Sequence, residues 1–231
     1  DGIQDSLDAL WEDAAHTQLK GDVSQAKLDE IKASIEWTDP AGDNERHPQY
    51  ELLLKEWQYA KDVFDNKDSL GEAVSIDPTI DRSTNAHVGG LSSMQPLGVA
   101  VHAGDEIDVF VGRDGLAPGS NTALRLYVGQ YHADSGHVLT QLVPTLKAGR
   151  NTVTVDLGST PPAAVGESGG SLYVEYASSD RTQQYSVRVL GGTDIPMLDL
   201  RGGTDQAERL ERCQRYIDEL TEFTGKLEGL H

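Results

Sequence analysis

The sequence predicts an α+β multidomain chain made of an N-terminal helical bundle, an antiparallel β-sandwich and a C-terminal helix. Three observations predict it. Apolar residues recur at helical spacing to about residue 75; from about Val74 the period switches to alternation broken by turn formers; after Ile195-Pro196 the helical period returns. A spacing of three to four residues lines one face of a helix, whereas alternation lines one face of a strand. The parts are bounded as residues 1–75, 76–196 and 197–231.

In the first part Leu7, Leu10, Trp11 and Ala14 fall at i, i+3, i+4 and i+7. After a break at Gly21-Asp22, Leu28, Ile31 and Ile35 repeat the stripe. The segment 38–44 clusters Asp, Pro, Gly and Asn, residues that interrupt helices for different physical reasons, and reads as a loop. Leu53, Trp57, Ala60 and Phe64 make a third stripe, closed by Asn66-Lys67-Asp68. Three amphipathic helices joined by short connections describe a small antiparallel bundle.

In the middle part, alternation marks strands at 98–102, 106–111, 124–131, 138–143, 152–157, 171–176 and 184–190. Turn signals at 103–105, 113–115, 118–120, 148–150 and 169–170 separate them. About seven short strands with no helices between them argue for a sandwich. In the strand from Leu124, alternation sends Leu124, Leu126 and Val128 inward and Arg125 and Tyr127 outward. Likewise Leu172, Val174 and Tyr176 alternate with Tyr173 and Glu175. The last part opens on Asp205 and Glu208, spaced as a capping box, and its stripe of Leu210, Cys213, Ile217 and Leu220 is expected to be buried, with Gly225 as the stop. That helix packs on the sandwich or belongs to a following domain.

The 231 residues include 19 Lys and Arg against 38 Asp and Glu, a net charge of −19. Such a polyanion repels a phosphate backbone and disfavours docking on an anionic bilayer, so no nucleic-acid partner and no membrane insertion are expected. No apolar run approaches the ~20 residues that span a membrane. One cysteine excludes an internal disulfide framework and a cysteine-rich zinc site. The chain begins with Asp1 and ends with Gly229-Leu230-His231 directly after a helical pattern, which reads as part of a longer protein.

Chemistry-bearing motifs are sparse. Among seven histidines, none form the i, i+4 pair with an intervening glutamate that a zincin needs. His132 and His137 flank a loop with Asp134, and read either as metal ligands or, more simply, as polar residues of a hairpin turn. Cys213 has Arg212 and Arg215 beside it, which would favour a thiolate, but its place on the apolar face fits a small hydrophobe. Asp39, Asp43, Asn44 and Glu45 lack the alternation of a calcium loop. The double glycines lack the Lys-Ser/Thr of a phosphate cradle, and no nucleophile elbow is present. The expectation is therefore no catalytic residue and no metal ligand in this chain.

Five segments carry a family resemblance in order. They are Pro96–Ile107, with Gly98 and the Ala103-Gly104-Asp105 turn; Leu124–His132, a strand that ends in Gly and then His; Leu146–Thr154, with its Lys-Ala-Gly-Arg-Asn-Thr run; Gly169–Glu175, a double glycine followed by Leu and Tyr; and Val187–Met197, followed by Gly203–Glu208. Together they resemble the enhancin-like zinc metallopeptidases, the mucin-directed gluzincins of peptidase family sixty, over roughly residues 80 to 225. The resemblance implies a parent enzyme that hydrolyses peptide bonds in mucin-type glycoproteins, with zinc polarising the carbonyl and activating water while a glutamate moves protons. The family's zinc helix has no counterpart in these segments, so no catalytic residue transfers, and the zinc is expected in a catalytic domain absent here.

These readings converge on a non-catalytic N-terminal fragment of a secreted or cell-surface metallopeptidase. It would position substrate or support its own catalytic domain. Arg125, Tyr127 and Tyr173 are the candidate substrate-binding residues, because aromatic faces stack on sugar rings and an arginine pairs a sialic carboxylate. The alternative is a carbohydrate-binding or adhesin-type immunoglobulin-like module, which would share the fold.

Overall fold

The three N-terminal stripes form helices α1 (Gly2–Ala15), α2 (Gly21–Ile35) and α3 (Tyr50–Asp65). In this computed structural model, residues 2–15, 21–36, 49–65, 74–76, 94–132, 136–157, 169–178, 182–196 and 205–228 are described. Leu7, Leu10 and Trp11 of α1, Leu28, Ile31 and Ile35 of α2, and Leu53, Trp57, Ala60 and Phe64 of α3 are all buried. The Trp57 indole N–H donates to the Leu28 carbonyl at 2.8 Å and ties α3 to α2. The expected loop at 38–44, with its Asp39, Asp43 and Asn44, and Glu45 beyond it lie outside the described residues.

Nine strands follow among the described residues: β1 (Val74–Ile76), β2 (Met94–Val101), β3 (Glu106–Gly112), β4 (Leu124–His132), β5 (Gly136–Val143), β6 (Gly149–Thr154), β7 (Gly170–Tyr176), β8 (Tyr185–Leu190) and β9 (Thr193–Asp194). They form two sheets, ordered β1-β8-β3-β6 and β5-β4-β7-β2-β9, with antiparallel pairing throughout. Between them lies the main core, with Val109, Val111 and Val187 from the first sheet against Leu126, Val128, Leu172 and Val174 from the second. All seven expected strands are present. The two that alternation did not reveal, β1 and β9, are three and two residues long, too short to display a period of two.

One strand is displaced. β6 starts at Gly149 instead of Thr152 and ends at Thr154, because its ladder with β3 runs from Val111 opposite Gly149 to Glu106 opposite Thr154. Val155 and Leu157 leave the ladder yet stay buried. The Val155 N–H donates to the Asp105 carbonyl at 2.8 Å, and its own carbonyl accepts from Gly104 at 2.9 Å. At the start of β7, Gly169 has φ +106° and lies so close to β2 that a Cβ would stand 1.9 Å from the Val101 carbonyl oxygen. Only glycine satisfies both demands.

The helices do not stand apart from the sandwich. α1 packs on β3, β6 and β8, and the helical core takes in Phe110 and Leu190 from the outer face of the four-stranded sheet. That sheet is thus covered on both faces. The outer face of the five-stranded sheet carries no helical layer among the described residues.

α4 (Gln206–Glu228) departs from expectation in three ways. Asp205 caps it, accepting from the Ala207 N–H at 3.0 Å, but Glu208 turns to the Arg212 guanidinium at 2.6 Å instead of returning a bond. The stripe expected to be buried is exposed, with Leu210 at 62% and Ile217 at 52%, because neither the bundle nor the sandwich covers it; Cys213 is only half-buried. Gly225 does not stop the helix, which runs on to Glu228. A lone glycine inside a helix is tolerated at a local cost, and a Cβ at Gly225 would meet nothing within 4 Å. Gly225→Ala is therefore expected to stabilise α4 by about 0.5–1 kcal/mol. Amide exchange through 220–228 should slow several-fold; unchanged exchange would contradict it. No described helix is long and apolar enough to cross a membrane.

Candidate functional site on the outer sheet face

Alternation put Arg125, Tyr127, Tyr173 and Glu175 on outer faces but did not say whether their strands meet. They do. β4 and β7 are adjacent, with Arg125 opposite Glu175 and Tyr127 opposite Tyr173. Directly opposed residues on one sheet face touch, so the four side chains form a single two-by-two patch.

Within it, Arg125 Nη1 lies 3.2 Å from Glu175 Oε2. The Tyr127 hydroxyl donates to the same carboxylate oxygen at 3.0 Å, and Gln141 Oε1 on β5 stands 3.4 Å away. The carboxylate holds the Arg125 guanidinium above its usual range, chiefly through this hydrogen bond. Burial, and then the bond to Glu175, raise the Tyr127 phenol.

Two features differ from an open aromatic platform with a free arginine. Tyr173 is only 7% exposed, because Met94, Tyr127 and Leu139 close around it in a small apolar cluster. Its phenol is raised, mainly by that burial. Arg125 is engaged by Glu175, so its charge is locally offset instead of being presented to an acidic ligand. What reaches solvent is the partly exposed Tyr127 ring, edged by a neutralised ion pair and an amide. That combination suits a ring with both apolar and hydroxylated faces.

A second polar constellation, which the sequence did not reveal, lies where the helices meet the four-stranded sheet. Asp108 on β3 is buried and accepts three bonds: from Arg150 Nε at 2.9 Å, from Thr152 Oγ1 at 2.6 Å and from the Tyr59 hydroxyl. Arg150 also reaches Glu56 at 3.3 Å, and its guanidinium stacks 3.7 Å from the Tyr59 ring centroid and 5.3 Å from that of Trp11. Burial above all, reinforced by the Asp108 carboxylate, holds the Tyr59 phenol far above its ordinary range. Every group in this seam is engaged by another, so it reads as a structural tie.

The turn between His132 and His137 (133–135), including Asp134, and the side chains of both histidines lie outside the described residues. Among the described residues no three His, Cys, Asp or Glu side chains converge on a point where an ion would sit. The zinc that the resemblance implies therefore has no ligand set among them, and no catalytic step can be derived through it here.

No family model matches the chain, and no curated protein matches it. Solved structures do. One holds two CBM32 domains and the M60 catalytic domain of Clostridium perfringens ZmpB; it is 22% identical, with a TM-score of 0.52, over 96% of this chain and 22% of that one. The catalytic module of the metalloprotease ZmpA from the same organism aligns at 23% identity and TM-score 0.37, over 65% of this chain and 30% of that one. IMPa from Pseudomonas aeruginosa, in complex with an O-glycopeptide, aligns at 14% identity and TM-score 0.34, over 94% and 25%. The chain thus spans about a fifth of the ZmpB structure. At 22% identity and a TM-score of 0.52, the correspondence with the ZmpB structure shows a shared fold.

Proposed function

We propose that this chain is the non-catalytic N-terminal region of a larger, secreted, enhancin-like zinc metallopeptidase acting on mucin-type glycoproteins. In this reading it positions glycosylated substrate for a catalytic domain carried elsewhere in the protein, or braces that domain, and the zinc centre belongs to the other domain. The observation that carries the reading is the fold correspondence with the ZmpB structure over 96% of the chain. The five ordered motif segments, all on the sandwich and the approach to α4, point the same way.

Substrate contact is proposed for the outer face of the five-stranded sheet. Tyr127 supplies a stacking surface, Tyr173 underlies and stiffens it, and Arg125 with Glu175 offers donors and acceptors at its edge. Because Arg125 is already paired, this face is proposed to prefer neutral sugars. The test is calorimetric titration of the whole chain with neutral and sialylated mucin-type glycopeptides. Tyr127→Ala should weaken binding of the neutral ligand by about 3- to 10-fold, the worth of one aromatic contact. Tyr173→Phe keeps the buried ring and should bind as wild type does. Absence of saturable binding, or equal affinity for wild type and Tyr127→Ala, refutes a binding role for this face.

A further inference from the structure

At one end of the sandwich the two sheets part around a cleft of about 520 Å³. Such a volume lies within the range of ligand sites. Its lining runs against the character of the chain. A molecule of net charge −19 has two arginines, Arg113 and Arg125, in the lining here, and the described residues that line the cleft include no carboxylate. The neighbouring polar side chains Asn121, Thr145 and Gln183 are neutral. Each of these can both donate and accept hydrogen bonds.

Arg113 is held ready. It follows directly on β3, and its guanidinium lies 5.6 Å from the centroid of the Tyr185 ring at the start of β8. Its Nη1 donates to Gln183 Oε1 and lies 3.3 Å from the Tyr185 hydroxyl. That hydroxyl accepts from the Ala123 N–H at 3.3 Å and donates to Gln183 at 3.0 Å, so buried Tyr185 orients both partners. Only Nη1 is engaged. The Nε and Nη2 edge, which matches the two oxygens of a carboxylate or sulfate, makes no hydrogen bond to any described residue. Its position is fixed before a ligand arrives, which reduces the ordering cost of binding. Arg125 is tied to Glu175 and contributes less.

We propose that this cleft is a binding site for an acidic sugar. The oxyanion sits on the Nε/Nη2 edge of Arg113, and ring hydroxyls meet Asn121, Thr145 and Gln183. The neutral, two-way hydrogen-bonding lining favours a hydroxylated ring over an acidic peptide, whose backbone and apolar side chains would find few partners. Long-range repulsion from the chain's charge is screened over ~8 Å at physiological salt, so local contacts decide. The inference deepens the glycan-contacting role proposed above and rests on it for the choice of ligand class, but it places the acidic group at Arg113 instead of Arg125.

The whole chain is titrated with methyl glucuronoside, galactose 6-sulfate, neutral methyl galactoside and an acidic tetrapeptide. Saturable binding is expected for an acidic sugar, and whether the carboxylate or the sulfate binds more tightly identifies the source of the anion. Arg113→Ala should weaken it by roughly tenfold or more, the loss of charge-assisted bonds. Arg113→Lys should restore only part, since an ammonium cannot form the fork. Should Arg113→Ala unfold, Arg113→Gln removes the charge while keeping a donor to Gln183. No saturable binding of either acidic sugar, binding indifferent to Arg113, or tighter binding of the tetrapeptide overturns the proposal. Neutral glycopeptide bound through Tyr127 without acidic-sugar binding refutes the cleft alone. Acidic-sugar binding lost with Arg113, without neutral binding, supports the cleft and refutes the Tyr127 face alone.

Discussion

Arg150→Ala lowers the stability of the chain by about 3–5 kcal/mol, the range for removing one partner of a buried ion pair. The size follows from what is left behind. Asp108 loses the guanidinium at 2.9 Å and keeps only the neutral donors Thr152 and Tyr59, while remaining buried between β3 and the helices. Tyr59 and Trp11 lose a cation stacked on their rings. Glu56, more exposed, loses a partner that matters less. Arg150→Lys falls between, because an ammonium keeps the charge but cannot bond Asp108 and Glu56 while stacking on Tyr59. Urea unfolding followed by tryptophan fluorescence is the measurement, since Trp11 and Trp57 both lie in the helical layer. A loss under about 1 kcal/mol, typical of a surface pair, would show that the seam is held by apolar contacts alone.

The same seam sets a pH dependence at the alkaline end. The Tyr59 phenol is raised in the fold by burial and by Asp108, whereas an unfolded tyrosine ionises near pH ~10. Stability from this group is therefore complete below that pH. It declines as pH climbs past it, because the unfolded chain releases a proton that the folded chain retains. Tyr59→Phe should flatten the decline between about pH 10 and 11 in urea midpoints; an unchanged slope would contradict the assignment.

Periodicity made the elements legible because burial imprints it directly. Leu28, Ile31 and Ile35, or Leu172, Val174 and Tyr176, are buried for the reason their spacing announces. Pairing is a different kind of information. That Tyr127 faces Tyr173, more than forty positions away in sequence, depends on β4 lying beside β7, and no local pattern encodes it. The seam was invisible for the same reason: Arg150 meets Asp108 across 42 positions and Glu56 across 94. Asp108 reads as an ordinary residue of its strand and Arg150 as part of a turn, until helices cover that face. The α4 stripe shows the converse, since amphipathic spacing identifies an apolar face but not whether anything in the chain lies against it. In the Arg113 cleft, the arginine follows a strand and precedes Asp114-Gly115, a position that reads as a turn; its character comes from Tyr185 and Gln183, some seventy residues away.

Phe110→Ala should loosen the helical layer while sparing the sandwich. Phe110 lies on β3 between Val109 and Val111, which point into the main core, so its own ring points out of the sheet. There it is fully buried, stacked 5.6 Å from Trp11 and grouped with the cores of α1, α2 and α3. It is the one fully buried aromatic the described strands contribute to that cluster. Truncating a buried phenylalanine costs about 3–5 kcal/mol, combining lost transfer energy with the cavity left behind. The cavity would open between helices and sheet, where α1 rests on β3, β6 and β8. Amide exchange should therefore accelerate across residues 2–15, 21–35 and 50–65, with strands β4 and β7 near wild-type protection. Val109→Ala is the contrast: its methyls lie between the two sheets, so exchange should rise in the strands as well. Equal loss of protection in helices and in β4 and β7 for Phe110→Ala would show that the two layers unfold as one cooperative unit.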